Sequence, residues 1–258
     1  LFNLKNKTIF LSGGTGYIGS VISLGLAEAG ANIIVNSRNK MKATKLCKLI
    51  RSKGFKASPA VFDITNVKNI DKFFKKNKNL QIDCLINNAY QGEQGNIKIS
   101  KSNQYIESYK ASVISSHNLF IAALPSLRKA VKKNKQASVI NVASIYGLVS
   151  PDQSIYASEK KTNPPYYGAS KAALIQWSKY ASCEFGSEGI RVNSISPGPF
   201  PSKKTQNKNP KLIKYLKKKV PLGRIGSPEE LIGIMIFLAS NASSYVNGSN
   251  FQIDGGWT

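Results

Sequence analysis

Short apolar runs rich in β-branched residues recur along the chain, and between them apolar residues fall every three or four positions. Thr8-Ile9-Phe10-Leu11, Asn32-Ile33-Ile34-Val35, Ala57 to Phe62, Cys84-Leu85-Ile86, Val139 to Val142, Ile190 to Ile195 and Phe251-Gln252-Ile253 read as strands. Most are continuously apolar rather than alternating, the pattern of strands covered on both faces. Ile18 to Ala29 places Ile18, Ile22, Leu26 and Ala29 on one helical stripe. Met41 to Lys53, Val67 to Lys76, Tyr166 to Phe185 and Pro228 to Leu238 also read as helices, the last opening on Pro and acidic residues. A long helix is predicted over Ser102 to Ala130, with Pro125 kinking it or ending its main part. Regular alternation predicts an α/β fold: one doubly wound parallel sheet of about seven strands, with helices on both faces. No repeat or low-complexity linker interrupts it, so one domain over residues 1–258 is expected.

The first strand runs into Ser12-Gly13-Gly14-Thr15-Gly16-Tyr17-Ile18-Gly19, which opens the first helix. Glycines there allow a tight turn and a close approach of backbone to pyrophosphate, and the helix start offers unpaired N–H groups to an anion. A dinucleotide site is therefore expected, with Gly13, Thr15, Gly16, Tyr17, Ile18 and Gly19 around the phosphates. The second strand ends in Asn36-Ser37-Arg38-Asn39, without the carboxylate that would accept from a ribose 2′-OH. Ser37 and Arg38 favour a 2′-phosphate, which Arg38 can grip in a bidentate way, so NADP is expected, with NAD as the alternative.

Tyr167 and Lys171 are four residues apart on a predicted helix and share one face. A nearby ammonium favours phenolate, so Lys171 is expected to lower the Tyr167 pKa toward neutral. Such a tyrosine can exchange a proton with an alcohol or ketone oxygen. Ser144, just after the fifth strand, can donate a hydrogen bond to the same oxygen.

These residues together resemble the short-chain dehydrogenase/reductase family, in its ordinary branch of about 250 residues. Asn87-Asn88-Ala89 is similar to the family's Asn-Asn-Ala-Gly, with Tyr90 in place of the last Gly. Pro197-Gly198-Pro199-Phe200-Pro201-Ser202 resembles the turn that meets the nicotinamide carboxamide, with Ser202 where Thr is usual. Pro221-Leu222-Gly223-Arg224, Pro228-Glu229-Glu230 and Asp254-Gly255-Gly256 match the family's tail. The glycine turn is a variant, because Tyr17 stands where a Gly is commonest.

The resemblance implies a Rossmann-type fold and hydride transfer between a nicotinamide cofactor and a secondary alcohol or ketone. It places Asp63 and Ile64 beside the adenine, and adds Asn88, Ala89, Pro197, Gly198, Phe200 and Ser202 to the cofactor site. Tyr167 and Lys171 then serve both catalysis and cofactor binding. Ser112 falls at the family's active-site Asn, which predicts altered proton exchange with hydride chemistry retained. A second Tyr-x-x-x-Lys, Tyr156 to Lys160, lies nearer the usual interval from Ser144. The family register that continues through Gly189-Ile190-Arg191-Val192-Asn193 to Pro197-Gly198 follows Tyr167 instead, so Tyr156 reads as an incidental match. It falls in an expected substrate-loop insertion near 150–165, with a substrate lid expected near 199–225.

Asn-Asn-Ala-Tyr, Ser-Ile-Tyr-Gly and the insertion resemble flagellin- and surface-sugar-modification dehydrogenases, which makes a sugar or sugar derivative the first substrate class. A 3-oxoacyl-carrier-protein reductase is the second reading. A non-catalytic cofactor-binding regulator is the third. The family also implies a homodimer or, preferentially, a homotetramer through the Ser102–Ala130 and Tyr166–Phe185 helices, with Phe251 and Trp257 near a further contact.

Composition changes this picture little. The formal charge of +24 comes mostly from lysines dispersed along the chain, in short clusters without interleaved aromatics. That favours a solvated surface over a nucleic-acid site. No run is apolar enough for a membrane span, and Leu1 to Lys5 lacks the core of a signal peptide. Cys47, Cys84 and Cys183 are scattered, which fits reduced thiols and a cytoplasmic location. His117 stands alone without a Cys or carboxylate cluster, so no metal is expected.

Overall fold

A computed structural model describes residues 1–156 and 158–258. Seven parallel strands lie in the order β3-β2-β1-β4-β5-β6-β7. They are β1 (Thr8–Leu11), β2 (Asn32–Ser37), β3 (Ala57–Val61), β4 (Cys84–Asn87), β5 (Ala137–Val142), β6 (Ile190–Pro197) and β7 (Asn250–Ile253). This is the doubly wound sheet that the alternation predicts. The strand order reverses between β1 and β4, which opens a crevice at the carboxyl ends of the strands.

The two-residue period of a strand divides the core in two. Ile9, Leu11, Ile33, Val35, Ile86 and Ile140 face α1 (Tyr17–Glu28), α2 (Lys40–Ser52) and α9 (Ile232–Ala239). Phe10, Ile34, Leu85 and Val139 face the other way, onto α3 (Val67–Lys76), α5 (Ser115–Asn134) and α6 (Pro165–Phe185). Edge strand β3 carries Pro59, a residue without an N–H that edge positions tolerate.

The expected Ser102–Ala130 helix differs in two ways. It is α4 (Ser102–Tyr109) and α5 joined by a π-helical turn, Lys110–Ile114, and α5 continues through Pro125 to Asn134. Pro125 frees the carbonyl one turn earlier, at half-exposed Ile121, where water can reach it. The helix stops ten residues later, where Lys135 turns into the left-handed region at φ 65°. Two further helices, α7 (Lys203–Lys208) and α8 (Pro210–Lys219), occupy the expected lid. Three short 3₁₀ turns occupy the segment from Ile145 to Lys161.

Candidate active site

A cleft of about 590 Å³ opens over the strand ends, with the glycine turn at one side and Ser144, Tyr167 and Lys171 at the other. The turn is shaped by what its glycines lack. Gly13 sits at φ +64°, and a Cβ there would lie 2.8 Å from the Ala89 Cα. A Cβ on Gly19 would come within 2.3 Å of the Gly13 carbonyl oxygen. The end of β4 braces the turn: Asn88 N and Ala89 N donate to Ser12 Oγ at 3.0 and 3.2 Å. Asn88 Nδ2 donates to the carbonyls of Ser12 and Gly13 at 3.1 and 3.2 Å. Helix α1 starts from Gly16 without a side-chain cap, so its first-turn N–H groups are left for an anion, beside Tyr17 and Ile18.

Beyond β2 the wall turns polar. Thr15 and Ser37 share a hydrogen bond of 2.8 Å between their hydroxyls. Arg38 reaches across to Gln91, with its Nη1 3.8 Å from Asp63 Oδ2. Asp63 is held by the N–H and hydroxyl of Thr65, each at 2.9 Å, and Ile64 lines the wall between them. Lys42, on the first turn of α2, lines the same end. Neither Lys42 nor Gln91 is singled out by the sequence, although Lys42 follows Arg38 by four residues. An uncapped helix start, two cations and a glycine-rich turn fit a dinucleotide with an added phosphate.

At the other end Lys171 is buried and donates from Nζ to the Val142 carbonyl at 2.7 Å. Burial draws its pKa down to about 7. Tyr167, one turn earlier, is pushed above the ordinary phenol value by burial, against a lowering hydrogen bond from Ser144. The expectation that Lys171 lowers the Tyr167 pKa is therefore not met. The desolvation that raises the phenol also strips the lysine of much of its charge, and little Coulombic pull remains.

Two expected residues stand outside the cleft wall. Ser202 caps α7, its Oγ accepting from Thr205 N at 3.2 Å and bonding the Thr205 hydroxyl at 3.0 Å. Its neighbours Pro197, Gly198 and Phe200 do line the cleft. Ser112 lies behind the wall in the π-helical turn, where Ala111 is the lining residue. Its buried hydroxyl has no partner, while its carbonyl accepts from Ser116 Oγ at 2.6 Å.

Residues 150–165, the expected insertion, border a neighbouring cavity and contact Tyr146. Tyr156 is half-buried, and its hydroxyl meets that of Tyr146. Lys160 is exposed. Tyr215 of α8 donates to the Asp152 carboxylate, which ties α8 to the segment that follows β5. A second cavity of about 410 Å³ lies along the start of α6, walled by Tyr146, Ser150, Gln153 and Asn163 and by the apolar Ile97, Pro151, Pro164, Pro165 and Ala169.

Comparison with known proteins agrees with this geometry. Residues 15–258 match the family described as enoyl-(acyl carrier protein) reductase. The chain is 32% identical to the sorbose reductase of Candida albicans, over 100% of this chain and 89% of the relative. It is 30% identical to the rhamnolipid-biosynthesis 3-oxoacyl-[acyl-carrier-protein] reductase of Pseudomonas aeruginosa, over 99% and 98%. The crystal structure of a Burkholderia cenocepacia gluconate 5-dehydrogenase, in complex with NADP and tartrate, superposes with a TM-score of 0.87 at 28% identity, covering 99% and 96%. Matched by such relatives end to end, the chain belongs to the short-chain dehydrogenase/reductase family of NAD(P)-dependent oxidoreductases.

Proposed function

We propose that this oxidoreductase interconverts a secondary alcohol and a ketone on a sugar or sugar derivative, with NADP(H) as cofactor and Ser144, Tyr167 and Lys171 handling the proton. When bound, the nicotinamide supplies or accepts the hydride. In reduction, Tyr167 gives its phenolic proton to the carbonyl oxygen, which Ser144 holds by a hydrogen bond. Burial keeps Tyr167 protonated at neutral pH, which suits this direction. Lys171, one turn along the helix, is placed to restore that proton and to hold the cofactor ribose. Ser112 supports from behind, through an unpartnered hydroxyl able to hold a water.

The observation that carries the sugar reading is the second cavity. Hydroxyl and amide groups of Tyr146, Ser150, Gln153 and Asn163, set among apolar walls of Ile97 and three prolines, suit the hydroxyls and C–H faces of a sugar. Sugar-acting relatives, named as sorbose reductase, gluconate 5-dehydrogenase and L-rhamnose-1-dehydrogenase, support it. NADP is favoured over NAD by Arg38 and Lys42, and by NADP complexes among similar structures. One observation favours the acyl-carrier reading: helices α7 and α8 carry eight lysines and no acid, a surface for an acidic carrier.

A panel of sorbose, gluconate and a 3-oxoacyl pantetheine thioester, run with both cofactors and followed at nicotinamide absorbance, separates these readings. NADPH-linked turnover of a sugar is expected. Turnover of the thioester alone overturns the sugar reading. Cofactor binding without any turnover points to the regulator.

A homotetramer or homodimer is also proposed, because Ile106, Tyr109, Ile114 and Ile121 on α4–α5 and Tyr180 on α6 are exposed. Among the described residues no helix is long and apolar enough to cross a membrane. The three cysteines are free, which supports a cytoplasmic setting.

A further inference from the structure

Tyr90 stands where the family pattern has a glycine, and its ring lies in the catalytic end of the cleft. The ring centroid is 4.8 Å from that of Tyr167, at an interplanar angle of 67°. Lys171 Nζ lies 5.2 Å from the Tyr90 centroid, closer than its 5.7 Å to the Tyr167 ring. The ring is fixed at its far end. Tyr90 Oη and Ser108 Oγ are 3.0 Å apart, and Ser108 bonds the Tyr166 carbonyl and Ser170 Oγ, each at 3.0 Å. Ser170 in turn donates to the Tyr167 carbonyl at 2.9 Å. Gly92 makes the room: a Cβ there would lie 2.5 Å from Tyr90 Oη.

We propose that Tyr90 is a positioning residue for the catalytic pair: its ring face shelters the Lys171 ammonium while its edge contact fixes the Tyr167 ring. A desolvated cation over an aromatic face gains the attraction of the ring quadrupole. Few other groups compete for this lysine. From β5 it meets the Val142 carbonyl and from its own helix Tyr167, while the π-helical turn packed on α6 carries one charged group, Lys110. Lys110 of that turn is half-exposed and pairs with Glu107 at 3.8 Å, and burial is what draws Lys171 down. No carboxylate among the described residues contributes to its balance. Because burial already brings Lys171 to about 7, a modest contact decides how much ammonium stands beside Tyr167 near neutral pH. Tyr90 does not itself trade protons there: burial pushes its phenol up to about 12, and its hydroxyl is bonded to Ser108.

The consequence for turnover rests on the catalytic reading above, but the test does not. Lysine labelled with carbon-13 at Cε reports each ammonium's titration, with the Lys171 resonance assigned by its loss in Lys171→Met. In Tyr90→Leu, which keeps bulk without a π face, that resonance is expected to titrate about one pH unit lower than in the wild type. Tyr90→Phe, which keeps the ring, is expected to titrate as the wild type does. An unchanged titration in the Leu variant, or an equal fall in the Phe variant, overturns the proposal. Should the Leu variant fail to fold, pentafluorophenylalanine at position 90 keeps the ring shape and reverses its quadrupole. It is expected to lower the titration, and no change overturns the proposal. Neither measurement needs substrate or turnover. Activity retained by Tyr167→Phe would sink the catalytic reading and leave this result standing, and the converse holds too.

Discussion

The two ends of the cleft are built differently. At the cofactor end the backbone does most of the work: a positive-φ glycine, an uncapped helix start and the braced carbonyls of Ser12 and Gly13. Few side chains there can vary without filling space that must stay empty. At the substrate end the wall is made of side chains on short 3₁₀ turns and two lysine-rich helices, joined by Tyr146–Tyr156 and Tyr215–Asp152 contacts. Such a wall can change its chemistry without disturbing the sheet, which is where specificity accumulates on a shared scaffold. Substitutions at the two ends should therefore fail in different ways.

The sharpest contrast is between two tyrosines. Tyr167→Phe removes the proposed proton donor and keeps the ring, so kcat is expected to fall by roughly 10²–10⁴-fold. Cofactor affinity, measured by quenching of protein fluorescence, is expected to persist. Tyr156→Phe removes the hydroxyl contacts with Tyr146 and the Asn163 backbone, and substantial activity should remain. A dead Tyr156 variant beside an active Tyr167 variant would reverse the assignment.

Proton demand gives the next effect. Alcohol oxidation needs Tyr167 deprotonated, and its pKa is raised, so the rate is expected to climb about tenfold per pH unit through neutrality. Ketone reduction uses the phenol, and should decline only once pH passes the raised value. Initial rates in both directions between about pH 6 and 10 test this. Oxidation that is flat with pH would place the proton elsewhere.

At the cofactor end, Arg38→Ala is expected to weaken NADP(H) by about 1.5–3 kcal/mol, roughly 10- to 150-fold, and to spare NAD(H). Lys42→Ala should act in the same direction with a smaller loss, since a lysine is a point charge rather than a fork. Calorimetric titration with both cofactors decides it, and equal losses for both would refute a 2′-phosphate contact.

What the sequence made legible follows the same divide. The seven strands, the glycine turn and the spacing of Tyr167 and Lys171 are local patterns, written in a period of two, a period of 3.6 and a need for positive φ. The π-helical turn around Ser112 is not local. The turn packs against α6, and nothing within Lys110–Ile114 announces that contact. Ser202 was assigned to the nicotinamide by resemblance, yet its hydroxyl caps its own helix, a use that depends on α7 forming at all. Helices α7 and α8 are too short and too rich in lysine for a clear stripe, and only Ile213 and Leu216 of α8 are buried. The protonation of Tyr167 is not legible in the spacing, because burial, a property of the whole fold, outweighs a neighbour four residues away.

The lid contact offers a milder test of the substrate end. Asp152→Asn or Tyr215→Phe should raise the substrate KM a few-fold with little change in kcat or cofactor affinity. The Asp152 carboxyl is held down to about 2, first by the Tyr215 hydroxyl and then by Ser154. It is therefore ionised throughout the working range, and the KM effect should not vary with pH between about 5 and 9. A strong pH dependence there would assign the effect to another group.

The smallest effect expected concerns assembly, and it bears on the helices behind both ends. The exposed Ile106, Tyr109, Ile114 and Ile121 recur at helical intervals along α4–α5, on the side away from the sheet. Large apolar side chains so arranged favour a covered face. A closed symmetric dimer or tetramer covers it on every copy. Opposing this, each chain carries a formal charge of +24. Salt screens such repulsion over about 8 Å at physiological strength and leaves apolar burial in place. Association should therefore tighten as salt rises from low to moderate, the reverse of an assembly held by ion pairs. Light scattering after size exclusion, at micromolar protein and two salt levels, reads the mass directly. Ile114→Lys, which adds a charge to the middle of the stripe, should shift the balance toward monomer at both. A wild-type protein that stays monomeric at both salt levels would remove the stripe as an interface.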